Sequence, residues 1–146
     1  MSSILPVYLN ELRRHLEALR DLMPALPLDA RWGDGGATAG QIGYHTSEAA
    51  DFWLRNVILG EQRPRDRDAE FAATLTLHEV MMSIAPALEA CSVVARRATA
   101  LAAPVHPPPT MTEGRPWTAL DALLHITAHT AEHVGELTVV ATKLNR

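Results

Sequence analysis

The chain has little of what most fold classes other than a helical bundle require. Cys91 is the only cysteine, so no intrachain disulfide can form. Phe, Trp and Tyr make up only 5% of the residues, and no period-2 alternation runs long enough to specify a sheet. No apolar run approaches the ~20 residues needed to span a bilayer. The opening Met1-Ser2-Ser3-Ile4-Leu5-Pro6 lacks the basic start and apolar stretch of a secretory signal. A cytoplasmic protein with no membrane partner is therefore the expectation. An excess of basic charge is missing too: the formal net charge is −4. The clusters Arg13-Arg14, Arg63 to Arg67 and Arg96-Arg97 are short, alternate with acids and read as solvated faces. No nucleic-acid partner is expected from such a balance. Gly33-Asp34-Gly35-Gly36 is short and follows no strand, so it is not a phosphate-cradling loop.

What remains is 146 residues that are 47% hydrophobic and 21% charged, enough for one globular domain over residues 1–146 with a real core. Helical periodicity occurs four times. The first helix is predicted from Ser3 to Met23, with Leu5, Leu9, Leu12, Leu16, Leu19 and Met23 on one stripe, ended by Pro24 and Pro27. The second begins at Thr38, where Thr38-Ala39-Gly40-Gln41 has the form of a capping box, and continues to about Gly60. The third begins with the capping box Thr76-Leu77-His78-Glu79. Its stripe reads Leu77, Val80, Met81, Ile84, Leu88, Cys91, Val94, Ala98 and Leu101, with a kink expected at Pro86. The fourth starts near Thr118, three residues before Asp121, and runs to about Leu144. The intervening loops, 24–37, 61–75 and 102–117, are about 14 to 16 residues long, well beyond the usual ~2–8. Loops of that length permit crossovers, so a simple up-down-up-down order is not required. The fold class is all-α: a four-helix bundle with long inter-helix loops.

The seven histidines concentrate the chemistry. His125, His129 and His133 lie four apart on the fourth helix, and each step of four turns the helix by only about 40° past a full revolution, so all three share a face. Two imidazoles one turn apart can chelate a single ion. Ala122, Ile126, Glu136 and Val140 lie on the same side, so the pair sits in a largely apolar stripe that should point into the bundle. An open catalytic metal site usually has three protein ligands. His45 is the best third candidate because Ile42, Ala49, Phe52 and Asn56 place it on a core-facing stripe; a hydrogen-bonded core histidine is the plainer reading of it alone. His125 is open between a pocket residue and a fourth ligand, and His15, His78 and His106 read as structural or exposed. Each proposed ligand is followed three residues later by a glutamate, as Glu48, Glu132 and Glu136. Helical neighbours at that spacing can orient an imidazole or serve as a base, although acids on helices, Glu132 above all, are mostly solvated. A di-iron site is disfavoured because the Glu-x-x-His order is reversed here. Cys91 reads as a buried structural thiol. Leu120, Leu123, Leu124, Thr127, Ala131, Val134, Thr138 and Ala141 form a second uncharged stripe on the fourth helix, expected to be covered by a second copy of the chain.

The segment from Leu123 to Leu137, with His129-Thr130-Ala131-Glu132-His133-Val134-Gly135-Glu136, resembles the last helix of the DinB-like (YfiT-type) metal-dependent enzyme family. The context Trp32…Thr38-Ala39-Gly40-Gln41-Ile42-Gly43-Tyr44-His45 and the stretch Arg65-Asp66-Arg67-Asp68-Ala69-Glu70-Phe71 are similar to that family as well. Two positions depart from it: Glu136 stands where a Gln is usual and Val134 where an Arg is frequent. The resemblance implies a DinB/YfiT-like bundle, metal ligands His45, His129 and His133 for zinc or nickel, and a homodimer. Glu136, Glu48 and His125 are then candidates for residues beside the ligands or in the pocket. It also implies a small-molecule substrate and, in some relatives, a low-molecular-weight thiol cosubstrate for S-transfer or isomerisation. Metal-assisted hydrolysis and a non-enzymatic, stress-related metal- or small-ligand-binding module are the alternatives.

Overall fold

A computed structural model describes residues 4–31, 36–97 and 100–144. Four long helices carry the architecture: α1 (Ile4–Leu22), α2 (Ala39–Phe52), α4 (Leu77–Arg96) and α5 (Ala119–Leu144), with a short α3 (Arg67–Ala72) between α2 and α4. The predicted stripe of α1 forms the centre of the core. Leu12, Leu16, Leu19 and Met23 are fully buried, and Leu5 and Leu9 nearly so. A 3-10 turn at Met23–Ala25 then ends the segment around Pro24.

The capping signals act where the sequence placed them. The Thr38 hydroxyl accepts from Gln41 N (3.2 Å) while Gln41 Oε1 accepts from Thr38 N (3.0 Å). Thr76 and Glu79 do the same for α4, and the Thr118–Asp121 pair reproduces the exchange at the start of α5. Each pair satisfies two amides that a helix start would otherwise leave unpaired. Beyond Phe52 the second helix widens into a π-helical segment, Trp53–Ile58, in which Leu59 N reaches back five residues to Leu54 O (3.0 Å). Gly60, at φ +75°, adopts the left-handed conformation that stops it.

The order of the helices explains one of the long connections, 61–75. α1 packs on α4 and α5, and α2 packs on the same two. The start of α1 shares a cluster with Leu123 and Ile126 of α5, and its end shares one with Leu137 and Val140. α1 and α5 are therefore parallel neighbours. Ile42 of α2 lies with Val80 and Ile84, and Ala50 with Ala90 and Cys91, so α2 and α4 are parallel as well. The bundle is up-down-down-up, and the step from α2 to its parallel neighbour α4 can be made only by a connection that returns along the bundle.

Several expectations are corrected. Residues 61–75 are not all loop: Asp66 caps α3 through Oδ1 to Ala69 N (3.1 Å). The 102–117 connection contains two short strands, β1 (Pro104–Val105) and β2 (Trp117–Thr118), paired antiparallel. They bring the buried Val105 and Trp117 against the bundle end. Strands of two residues have no periodicity to read. As its stripe implied, α4 continues past Pro86, and it ends at Arg96; Pro86 and Met82, whose carbonyl loses its helical donor, are both exposed, so water can satisfy it. At the start of that stripe Leu77 is 37% exposed, Leu101 lies beyond the end of α4, and Ala98 falls outside the described residues. By length and a mean hydropathy of 1.3, α4 also matches a membrane-crossing helix, but its Val80, Ile84, Ala87, Cys91 and Val94 are core residues here. The second stripe of α5 divides: Leu123 and Val134 are buried within the chain, whereas Leu124 stands 44% exposed.

Candidate metal centre

His45 projects from the middle of α2, and His129 and His133 from consecutive turns of α5, the antiparallel neighbour of α2. Their Nε2 atoms converge. His129 Nε2 lies 3.1 Å from that of His45 and 3.2 Å from that of His133, and the three potential ligand atoms all lie within 4.8 Å of one another.

The far side of two of these rings fixes their tautomers. His45 Nδ1 faces Glu70 Oε1 at 2.8 Å, and His133 Nδ1 faces Glu136 Oε2 at 3.2 Å. A carboxylate only accepts, so each Nδ1 carries a hydrogen, and in the neutral ring Nε2 then presents a bare lone pair. His129 is neutral. Burial first, then the neighbouring His133 and His45, lowers its pKa to about 3. At most one hydrogen is then available among three converging nitrogens, too few to satisfy all of them. His129 Nδ1 is itself buried without a hydrogen-bond partner among the described residues. A cation at the convergence point would satisfy three lone pairs at once, and neutral imidazoles are the donors that zinc-class divalent ions take. The donor set fits a metal.

The orienting residues of His45 come from a segment expected to be loop. Glu70, on α3, is 3% exposed, and besides His45 it accepts Arg65 Nε and Arg65 Nη2, both at 2.8 Å. This fork pairs a planar guanidinium with both carboxylate oxygens, the geometry in which such pairs are strongest. Burial on its own would raise the Glu70 carboxyl; the Arg65 and His45 hydrogen bonds outweigh it and hold the group ionised, below its usual range. The buried His45 is lowered by desolvation, with Glu70 opposing. Phe71, also on α3, packs its ring 4.6 Å from that of His45. Arg65 is thus part of a buried network rather than a solvated face. The available signal was the Asp66 cap followed by a helical turn with Glu70 and Phe71 on it.

The other candidates separate. Glu136 orients His133, as its spacing suggested. Glu48 hydrogen-bonds to none of the three imidazoles; both nitrogens of His45 are already engaged, and Glu48 lines a separate cavity of about 210 Å³ with Asp51 and Arg63. Its carboxyl is raised by burial and then by the nearby Glu70 and Asp51. Glu132 is exposed. His125 is not in the converging set. Its ring lies 4.4 Å from Trp53 and stacks near His129 at 6.2 Å, which makes it a wall. That wall belongs to a cavity of about 470 Å³ lined by His45, His129, His125, Trp53, Arg67 and Met111 among others. Two of the three converging imidazoles therefore face a space of the size that small-molecule sites occupy.

The DinB superfamily domain model matches residues 8–137, nearly the whole bundle and all three converging histidines. No curated protein and no solved structure matches the chain. The chain belongs to the DinB superfamily.

Proposed function

We infer that this protein is a metal-dependent enzyme that joins or rearranges a small electrophile with the help of a low-molecular-weight thiol. The observation that carries the reading is the 470 Å³ cavity opening on His45 and His129. A structural metal site is closed by its protein ligands, whereas a catalytic one keeps an approach for substrate. His45, His129 and His133 would hold a divalent ion such as zinc or nickel. Held by three neutral ligands, such an ion would keep its full charge and would lower the pKa of a thiol or water reaching it.

The remaining residues prepare the site. Glu70 and Glu136 fix the ring orientation of His45 and His133 through Nδ1. Trp53, His125 and Met111 line the cavity with ring and thioether surface, which displaces water and suits a soft, apolar reactant. In S-transfer to an aryl halide the thiol sulfur bonds to the ring carbon, the carbon–halogen bond breaks, halide departs and the thiol proton passes to solvent.

The test loads the protein with zinc or nickel and screens glutathione-, bacillithiol- and mycothiol-type thiols against chlorodinitrobenzene and activated alkenes. Metal-dependent conjugation or isomerisation, abolished in His129→Ala, is expected. Metal-dependent ester hydrolysis without any thiol effect would replace this reading by a hydrolase, and no turnover of either kind would leave a metal-binding module. The exposed Leu124 and Val139 on the outer side of α5 support a homodimer; solution mass at micromolar concentrations showing only monomer would remove that part.

A further inference from the structure

We propose that Arg67 is the anion-recognising residue of the cavity and that one of the reactants taken there carries a carboxylate. The inference rests on the reading of the 470 Å³ space as the substrate cavity, and it adds a chemical class to it. Among the described residues, Arg67 is the arginine that lines this cavity together with His45 and His129. Other arginines around the site are spent on protein acids: Arg55 and Arg63 on Asp51, Arg65 on Glu70, Arg115 on Asp121. Among the described residues Arg67 makes no ion pair, although Asp66 and Asp68 flank it in sequence. Instead its guanidinium lies over the Phe71 ring, 5.6 Å from the centroid, and Phe71 in turn packs 4.6 Å from His45.

That arrangement holds a charge in place without neutralising it. A cation–π contact orients the guanidinium plane and leaves its N–H donors free. A carboxylate is the small group that matches this fork, accepting two parallel N–H bonds. The other surfaces of the cavity, Trp53, His125 and Met111, offer ring and thioether surface to the rest of the molecule. The whole chain carries a formal charge of −4, so its general field repels anions and a preference for them has to come from a local cation. The carboxylate could sit on the electrophile or on the thiol, and both sources are separable.

The experiment uses two matched pairs of probes, benzoate against benzamide and 3-mercaptopropionate against 3-mercaptopropionamide. Each is titrated by NMR, following the Trp53 indole, into metal-free and zinc-loaded protein. Wild type, Arg67→Gln and Arg67→Lys are compared. In metal-free wild type the acid of at least one pair should bind about tenfold tighter than its amide. The preference should fall to near parity in Arg67→Gln and return in part in Arg67→Lys. The pair that shows it identifies which reactant brings the carboxylate. Parity in both pairs in wild type, or a preference that survives Arg67→Gln, overturns the proposal. A preference present only with zinc and indifferent to Arg67 also overturns it, since the carboxylate then goes to the ion; that result leaves the metal-site reading standing. An Arg67-dependent preference in a protein that takes up no zinc supports the anion subsite and sinks the metal-dependent enzyme instead.

Discussion

Replacing Glu70 by alanine tests whether α3 exists to orient a metal ligand. The Glu70 carboxylate accepts three hydrogen bonds of 2.8 Å, one from His45 and two from Arg65, at a site only 3% exposed. Without it the His45 Nδ1–H has no acceptor, and the ring can turn or change tautomer so that Nε2 no longer faces His129. Losing such an outer partner typically lowers metal affinity by about 10- to 100-fold, equivalent to about 1.4–2.7 kcal/mol. Stability should fall too. A broken buried ion pair costs about 3–5 kcal/mol, but the Arg65 side chain is 13% exposed and can reach water, so about 2–3 kcal/mol is expected. Glu70→Gln keeps the volume and an acceptor for His45 while setting an amide N–H₂ against Arg65. It should fall between wild type and alanine on both measures. Zinc affinity by competition with a chromophoric chelator at pH 7.5, and urea unfolding of the metal-free protein, read the two effects separately. A folded Glu70→Ala protein that binds zinc as tightly as wild type would refute the orienting role.

Three further outcomes follow from the packing and the titrating groups. In the metal-free protein His129 takes up a proton only near pH 3, while the unfolded chain does so near 6.5. Stability should therefore be intact above pH 6.5 and fall as the pH drops toward 3; urea midpoints at pH 7.5 and 4.5 measure this, and His129→Asn should narrow the difference. Burial pushes the Cys91 thiol up to about 11, with Arg13 opposing only in part, so a disulfide reagent at pH 8 should label nothing until urea is added. A methyl group at Gly43 would sit 2.7 Å from Met23 Sδ and 3.3 Å from Val80 Cγ1, both fully buried. Gly43→Val should cost about 2–3 kcal/mol by overpacking, read as a lower midpoint with an unchanged urea slope.

The parts legible in the sequence are those written by local rules. The α1 stripe, two capping boxes and the Thr118 start depend on spacing within one element, and each is where spacing put it. His129 and His133 were legible as a pair because one helix carries both. His45 was harder: only the tertiary arrangement of α2 against α5 brings its Nε2 to theirs. Glu70 lay beyond such rules. An orienting carboxylate was sought one turn from each ligand, which found Glu136 but pointed to Glu48 for His45; the actual partner is 25 residues further along the chain. Arg65 read as part of a solvated charge run for the same reason, since charge patterning shows sign and spacing but not which cation folds against a buried acid. The hairpin of Pro104–Val105 with Trp117–Thr118 brings the Trp117 ring 5.7 Å from that of Trp53, a tertiary contact that no periodicity of two-residue strands signals.

Three imidazoles converge where one divalent ion would be held. The most direct test of that binding is the metal content of protein purified without a histidine tag or chelating resin, for wild type, His129→Ala and His133→Ala. One zinc-class ion per chain is predicted in wild type, with little or none in either variant, all three folded by circular dichroism. Equal metal content in the three proteins would contradict the account.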